Sequence, residues 1–153
     1  MIKLSVFKLL VLFVILSCQP QNKGASASKP KEEAGIEGSW KLVYADIREK
    51  DTILVKALTK TEFIKILNKT HFAFFNQDHG TGENFMSGAG TYTFDGENYT
   101  ETLDFIQVTE LRGHVFPFRA EIKGDSLIQQ GHELVEEAGL DRYILEKYVR
   151  INN

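Results

Sequence analysis

Histidine, serine and glycine are the residue types in this sequence whose spacing could form a catalytic or metal site. No two of the four histidines (71, 79, 114 and 132) have the i, i+4 spacing that places two metal ligands on one helical face. The sequence also lacks a Gly-x-Ser-x-Gly motif and a Gly-rich phosphate-binding loop between a strand and a helix. We therefore predict no catalytic residues, no metal and no cofactor, and expect that the protein is not an enzyme.

A glutamate, Glu101, alternates with apolar residues along a predicted strand. Between positions 99 and 105 every second residue shares its face, which also receives Tyr92 from the preceding strand. If this face points inward, a carboxylate lies among aromatic rings and needs a partner, for which Arg119 and His71 are candidates. Such a set could orient the polar end of a ligand; alternatively, the face points outward or the partner is purely structural. The candidate ligand-binding residues are Tyr92, Tyr99, Glu101, Leu103, Phe105, Arg119, His71 and Phe74.

The single cysteine, Cys18, follows a segment typical of a secretory signal peptide. Lys3 and Lys8 precede a short apolar run that is too short to span a hydrocarbon core of about 30 Å. Ile15-Leu16-Ser17-Cys18 resembles the lipobox of bacterial lipoproteins, in which the cysteine sulfur receives a diacylglyceryl group. This resemblance implies a signal peptide at 1–17 and a lipid on Cys18; an ordinary signal peptide with an incidental cysteine is the alternative. A disulfide would need a second cysteine.

The chain after Cys18 divides into a polar segment and a domain. Residues 18–35 are rich in small and polar residues and hold two of the three prolines, which predicts a flexible linker. Residues 36–153 suit one small domain with a single core. Without Lys3 and Lys8, 16 basic residues remain against 21 acidic ones. This mild acidity argues against nucleic acid as a partner and leaves the oligomeric state open.

Two alternating runs, 88–94 and 99–105, flank a Gly-containing turn and predict a β-hairpin in which Tyr92 faces Glu101. Residues 53–67 are ambiguous between a helix and a strand limited to 63–67, and a helical turn could form near 134–140. Further strands are predicted at 38–44, 69–75, 114–122, 126–130 and 143–151. About eight short strands indicate an all-β antiparallel sandwich or barrel, and the count suits a closed barrel.

Gly38-Ser39-Trp40 at the start of the first strand, the run of hairpins and a basic residue near the last strand resemble the lipocalin-like barrels. The sequence resembles small lipocalin-like lipoproteins of Bacteroidetes-type bacteria, including in the segments 69–75 and 90–102. This resemblance covers most of residues 38–150. It implies that Trp40 closes one end of the barrel beneath a basic residue, either Arg150 or Lys147, in a cation–π contact.

The combined interpretation is a lipid-anchored, lipocalin-like antiparallel β-barrel that binds a small apolar ligand. The alternative is an envelope interaction or structural protein whose barrel is filled by side chains. The membrane is the predicted partner through Cys18. Because Gln19 is not the Asp that retains enteric lipoproteins at the inner membrane, the expected location is the outer membrane. No acidic cluster of the kind associated with surface export directly follows Cys18, which favours the periplasmic side.

Overall fold

The structure is a computed structural model that describes residues 35–152. The predicted signal peptide, the lipidation site Cys18 and nearly all of the predicted linker lie outside the described residues, so those predictions stay predictions. In the part of the chain that is described, no helix has the length and apolar character needed to cross a membrane.

Nine antiparallel strands and two single-turn 3₁₀ helices make up the described chain, which confirms the all-β prediction. The 3₁₀ helices, Thr109–Leu111 and Glu136–Ala138, follow the sixth and eighth strands. In chain order the strands are β1 Gly38–Glu49, β2 Thr52–Val55, β3 Thr61–Leu67, β4 His71–Asp78, β5 Met86–Phe94, β6 Asn98–Ile106, β7 His114–Lys123, β8 Ser126–Val135 and β9 Leu140–Arg150.

Eight of these strands close into a barrel, as the strand count predicts. β1 pairs with β3, each strand from β3 to β8 pairs with the next one in the chain, and β9 pairs back to β1. β2 is an additional short strand that folds onto the second half of β1, whereas β3 pairs with the first half. Closure leaves the eight barrel strands without the unpaired edges of an open sheet.

The alternation of residues along each strand decides which side chains enter the barrel. Tyr92 lies opposite Glu101, as the hairpin prediction requires. The ambiguous segment 53–67 forms β2 and β3, and β3 places every second side chain in the interior. The possible helical turn near residue 137 is the second 3₁₀ helix.

A β-bulge in β6 corrects the predicted position of Phe105. The pairing register shifts within the strand, so Phe105 lies opposite Ala89 and faces outward with 69 % of its surface exposed, while Ile106 takes the inward position. Gly90 permits the bulge, because a Cβ at this position would lie 1.8 Å from the carbonyl oxygen of Thr102. The prediction that Phe105 shares the interior face is wrong, since strict alternation does not survive an inserted residue.

The two ends of the barrel differ in how the chain covers them. At the end where β1 begins, Trp40 has no exposed surface, and its indole N–H donates to the carbonyl oxygen of Ile36 at 2.9 Å. The incoming chain therefore folds across this end, which we call the closed end. The opposite end, where β3, β5, β7 and β9 begin and both 3₁₀ helices lie, is called the mouth.

Candidate functional site

A buried lysine, Lys65 of β3, occupies the centre of the barrel interior with 3 % of its side chain exposed. Its ammonium donates to Oε1 of Glu101 at 2.8 Å and to Oε1 of Gln129 at 2.7 Å. The hydroxyl of Tyr99 donates to the same glutamate oxygen at 2.6 Å. We call these four side chains, which come from three different strands, the deep cluster.

Aromatic rings surround the Lys65 ammonium. Its Nζ lies 5.5 Å from the ring centre of Tyr148, 5.7 Å from that of Tyr99 and 5.9 Å from that of Phe72. Burial raises the pKa of both tyrosines well above the ordinary value, and nearby carboxylates act in the same direction. The two phenols therefore remain protonated donors. Charges and hydrogen bonds are matched within the deep cluster, which is the arrangement expected of a structural network.

The partners of Glu101 predicted from the sequence require correction. Arg119 faces out of the barrel, is largely exposed and pairs with Glu97. His71 is also exposed on the outside, where its Nδ1 lies 2.7 Å from the hydroxyl of Thr70. Both residues occupy outward positions in the alternation of their strands, so neither side chain can reach the interior.

The other predicted ligand-binding residues point inward. Phe74, Tyr92, Tyr99, Glu101 and Leu103 all line the barrel, and Tyr99 and Glu101 belong to the deep cluster. Sequence reasoning missed Lys65, because a lysine within an apolar strand suggests a solvent-facing position. Its placement two residues after one inward apolar residue and two before another was the available signal.

At the closed end, the structure decides between the two basic residues that the sequence left open. The guanidinium of Arg150 lies 4.1 Å from the centre of the Trp40 ring, and it donates to the carbonyl oxygen of Gly35 at 2.7 Å. Lys147 points outward and lies over the ring of Tyr44 instead, at 5.1 Å. Arg150 therefore covers the tryptophan and ties the entering chain to the barrel.

A second polar group lies inside the mouth. The hydroxyl of Tyr148 donates to Oε2 of Glu146 at 2.6 Å, and Arg142 pairs with Glu133 at 2.5 Å across β8 and β9. Burial raises the pKa of Glu133, while the positive charge of Arg142 opposes this rise. We call the five charged or amide side chains here the mouth cluster: Lys56, Asn76, Glu133, Arg142 and Glu146.

Lys56 differs from Lys65 because its hydrogen-bond partner is a neutral amide. Its ammonium donates to Oδ1 of Asn76 at 2.7 Å and lies 4.8 Å from the ring centre of Phe63. Among residues 35–152 no carboxylate forms an ion pair with it. Burial lowers the pKa of Lys56, and the charge of Glu146 opposes this change. A partly desolvated ammonium that no described carboxylate contacts within 4.0 Å favours the approach of an anion.

Apolar side chains adjoin the mouth cluster. Phe63 and Phe74 stack with their ring centres 5.4 Å apart directly beside Lys56. Further partly buried apolar residues at this end are Ile47, Leu58, Ile106, Leu111 and Leu140. The mouth therefore combines charged groups with an apolar surface, an arrangement suited to an amphiphile.

Comparisons with known proteins add no assignment: neither a protein-family model nor a curated protein matches this chain. The barrel, the deep cluster and the mouth cluster are therefore the observations on which a function can be based. Within residues 35–152, no group of three or more His, Cys, Asp and Glu side chains is arranged to hold a metal.

Proposed function

We propose that this protein is a lipid-anchored binding protein of the bacterial cell envelope whose barrel mouth binds a small amphiphile with an anionic group. The observation that carries the ligand proposal is the Lys56 ammonium, which is partly buried and bonded to the amide of Asn76 rather than to a carboxylate. A ligand carboxylate or phosphate at this position would form a charge-assisted hydrogen bond.

The other interior cations are less suited to this role. Arg142 is already paired with Glu133, and Lys65 is enclosed by Glu101 and Gln129. An anion at either position would have to displace a carboxylate. Lys56 retains two unassigned donors on its ammonium, because a lysine carries three and Asn76 accepts one.

The apolar part of the ligand would lie against the side chains beside Lys56. Phe63 and Phe74 form a stacked pair there, and Ile47 and Ile106 lie at the same end. The closed end is filled by Trp40 and the rings around the deep cluster, so the ligand would be limited to the mouth half. These interior charges change the predicted ligand from an apolar molecule to an amphiphile.

The anchor and the family resemblance are parts of the same proposal. Residues 15–18 supply the lipobox-like segment, and the contact of Arg150 with Trp40 supports kinship with lipocalin-like barrels. Changing Cys18 to Ala should move the protein from the membrane fraction to the soluble fraction of the cell. Unchanged membrane fractionation of Cys18→Ala would contradict the anchor.

The second candidate function is an envelope interaction or structural role without a ligand. The deep cluster favours it, because its side chains fill the middle of the barrel and satisfy one another. The two functions differ in what the mouth holds in the native protein.

Mass spectrometry of small molecules extracted from the purified native protein distinguishes the two functions. We expect an acidic amphiphile to co-purify with the native protein. Its recovery should fall at least tenfold in Lys56→Met, since a hydrogen bond to a charged group contributes about 1.5–3 kcal/mol, which is roughly 10- to 150-fold in affinity. Lys60→Met, a change at an exposed lysine near the mouth, is the matched control and should keep the ligand. Repeated absence of any amphiphile from the native protein would favour the structural role.

A further inference from the structure

The outer surface of the barrel carries an apolar area, although the outward positions of a strand with one buried face are usually polar. The sheet register joins outward side chains of four consecutive strands: Ile66 of β3 lies opposite Ala73 of β4. Ala73 lies opposite Ala89 of β5, which lies opposite Phe105 of β6. A second row begins with Ile64 and Phe75. We call the outward members of both rows the apolar face: Ile64, Ile66, Ala73, Phe75, Ala89 and Phe105.

The exposure of the apolar face is concentrated in phenylalanine. Phe75 is 43 % exposed, Phe105 69 % and the neighbouring Phe85 59 %. A groove of about 320 Å³ opens among them, and none of its ten lining residues is charged. Exposed contiguous apolar surface of this kind marks a contact site on a soluble domain.

The outer surface of β7 and β8 has a different character. The lining of the groove there includes Glu97, Arg119, Glu121 and Gln130. Arg119 and Glu97 form an ion pair. The groove on this side of the barrel is therefore polar and charged, in contrast to the uncharged groove beside the apolar face.

The chain enters the domain beside the apolar face. Ser39, near the start of β1, lies opposite Ile66 at the edge of that face. Sixteen residues separate Cys18 from Gly35, and they span at most about 55–60 Å when fully extended. A lipid on Cys18 would thus hold the barrel close to a bilayer, with enough chain for this side to reach it.

We propose that the apolar face rests on the lipid bilayer, with Phe75, Phe85 and Phe105 inserted at the boundary of the headgroups and acyl chains. This proposal rests on the proposed lipid anchor, because tethering raises the local concentration of the domain at the membrane and makes a weak contact sufficient. A bilayer also accepts an uncharged apolar face without the complementary shape that a protein partner must provide.

The contact would place the barrel mouth beside the membrane. Phe85 precedes β5 and Met86 begins it at the mouth, and Phe105 lies near the mouth end of β6. Bilayer docking would therefore bring the mouth cluster close to the surface in which an acidic amphiphile dissolves. Ligand exchange could then occur without passage through bulk water.

Fluorescence quenching on vesicles tests the docked orientation in the full lipidated chain. Two variants, Ser87→Cys in the groove and Ser126→Cys at the exposed start of β8, are each labelled with an environment-sensitive fluorophore. Only the introduced cysteine reacts, because the lipid blocks the Cys18 sulfur. In phosphatidylcholine vesicles we expect the Ser87 label to shift to shorter wavelength and to be quenched severalfold by brominated acyl chains. The Ser126 label should show neither effect, and Phe75→Ser with Phe105→Ser should abolish the quenching without changing flotation.

Each outcome bears on one of the two proposals. Flotation with an unquenched Ser87 label overturns docking and leaves the anchor intact. Loss of flotation overturns the anchor. The labelled variants are then prepared with Cys18→Ala, so that no second thiol takes the label, and are mixed with excess vesicles, where quenching supports docking and its absence overturns it. A blue shift of the Ser87 label at high protein concentration without vesicles identifies a second copy of the chain as the occupant of the apolar face. This result overturns the proposal that the face docks on the bilayer.

Discussion

The deep cluster and the mouth cluster use the same residue types inside one barrel, yet they differ in how their charges are paired. Lys65 is fully enclosed and has both a carboxylate and an amide as acceptors. Lys56 is partly buried and has only the amide of Asn76. The difference shows that pairing and access, rather than residue type, separate a structural charge from a possible ligand contact. A buried charge with its partner in place offers a ligand nothing to replace.

The same contrast holds for the carboxylates. Glu101 accepts hydrogen bonds from Lys65 and Tyr99 in the deep cluster. Glu133 has Arg142 as its partner, but burial still raises its pKa. At Glu133 the positive charge of Arg142 therefore offsets only part of the cost of desolvation.

Loss of the Lys65 charge should have the largest effect on stability. Lys65→Met leaves Glu101 buried without its cation, so we expect the free energy of unfolding to fall by about 3–5 kcal/mol in urea denaturation. Lys41→Met is the matched control, because Lys41 also lies 2.8 Å from a glutamate, Glu62, but on the surface. Such exposed pairs contribute about 0–1 kcal/mol. Equal losses for the two variants would refute the distinction between the deep cluster and a surface ion pair.

An intermediate effect is expected where Arg150 covers Trp40. Arg150→Met removes a cation–π contact and the hydrogen bonds to the carbonyl oxygens of Gly35 and Glu37, which together should lower the free energy of unfolding by about 2 kcal/mol. Trp40 is the only tryptophan in the sequence, so its fluorescence reports on the closed end directly. Lys147→Met, which alters the outward contact with Tyr44, should leave that fluorescence unchanged. A shifted emission in both variants would argue against a specific role for Arg150.

The smallest expected effect concerns the pH dependence of the mouth. Because burial raises the pKa of Glu133 in the folded state, the folded protein binds this proton more readily than the unfolded chain does. The contribution of Glu133 to the free energy of unfolding should therefore decrease as pH rises from about 4.3 through the raised pKa. Glu133→Gln should remove this slope in urea denaturation between pH 4 and 8. Arg142→Gln should extend the slope to higher pH, since the opposing positive charge is lost; an unchanged slope in both would contradict the assignment.

The sequence was sufficient for features that depend on neighbouring residues. Alternation and a turn at Gly96 predicted the β5–β6 hairpin and its register, including Tyr92 opposite Glu101. The prediction failed at Phe105, because the bulge depends on the close approach of Gly90 to the backbone of the adjacent strand. A local pattern carries no information about such a contact.

The candidate site was less accessible to prediction. Lys56 lies beyond the short strand β2, while Asn76 and Glu146 belong to distant strands, so their proximity follows from barrel closure. The prediction that Arg119 or His71 pairs with Glu101 was wrong for a related reason. Both side chains face out of the barrel, and the direction of each position must be known before two side chains can be paired. The choice between Arg150 and Lys147 had the same dependence on strand orientation.

The sequence by itself determined that the domain is built of antiparallel strands, because a two-residue period and turn residues act over a few positions. Only the tertiary structure decided that Lys65 meets Glu101, 36 residues away, and Gln129, 64 residues away. Pairings across a barrel depend on how many strands close it and on the register of each. These are properties of the whole sheet, so no segment of the chain encodes them alone.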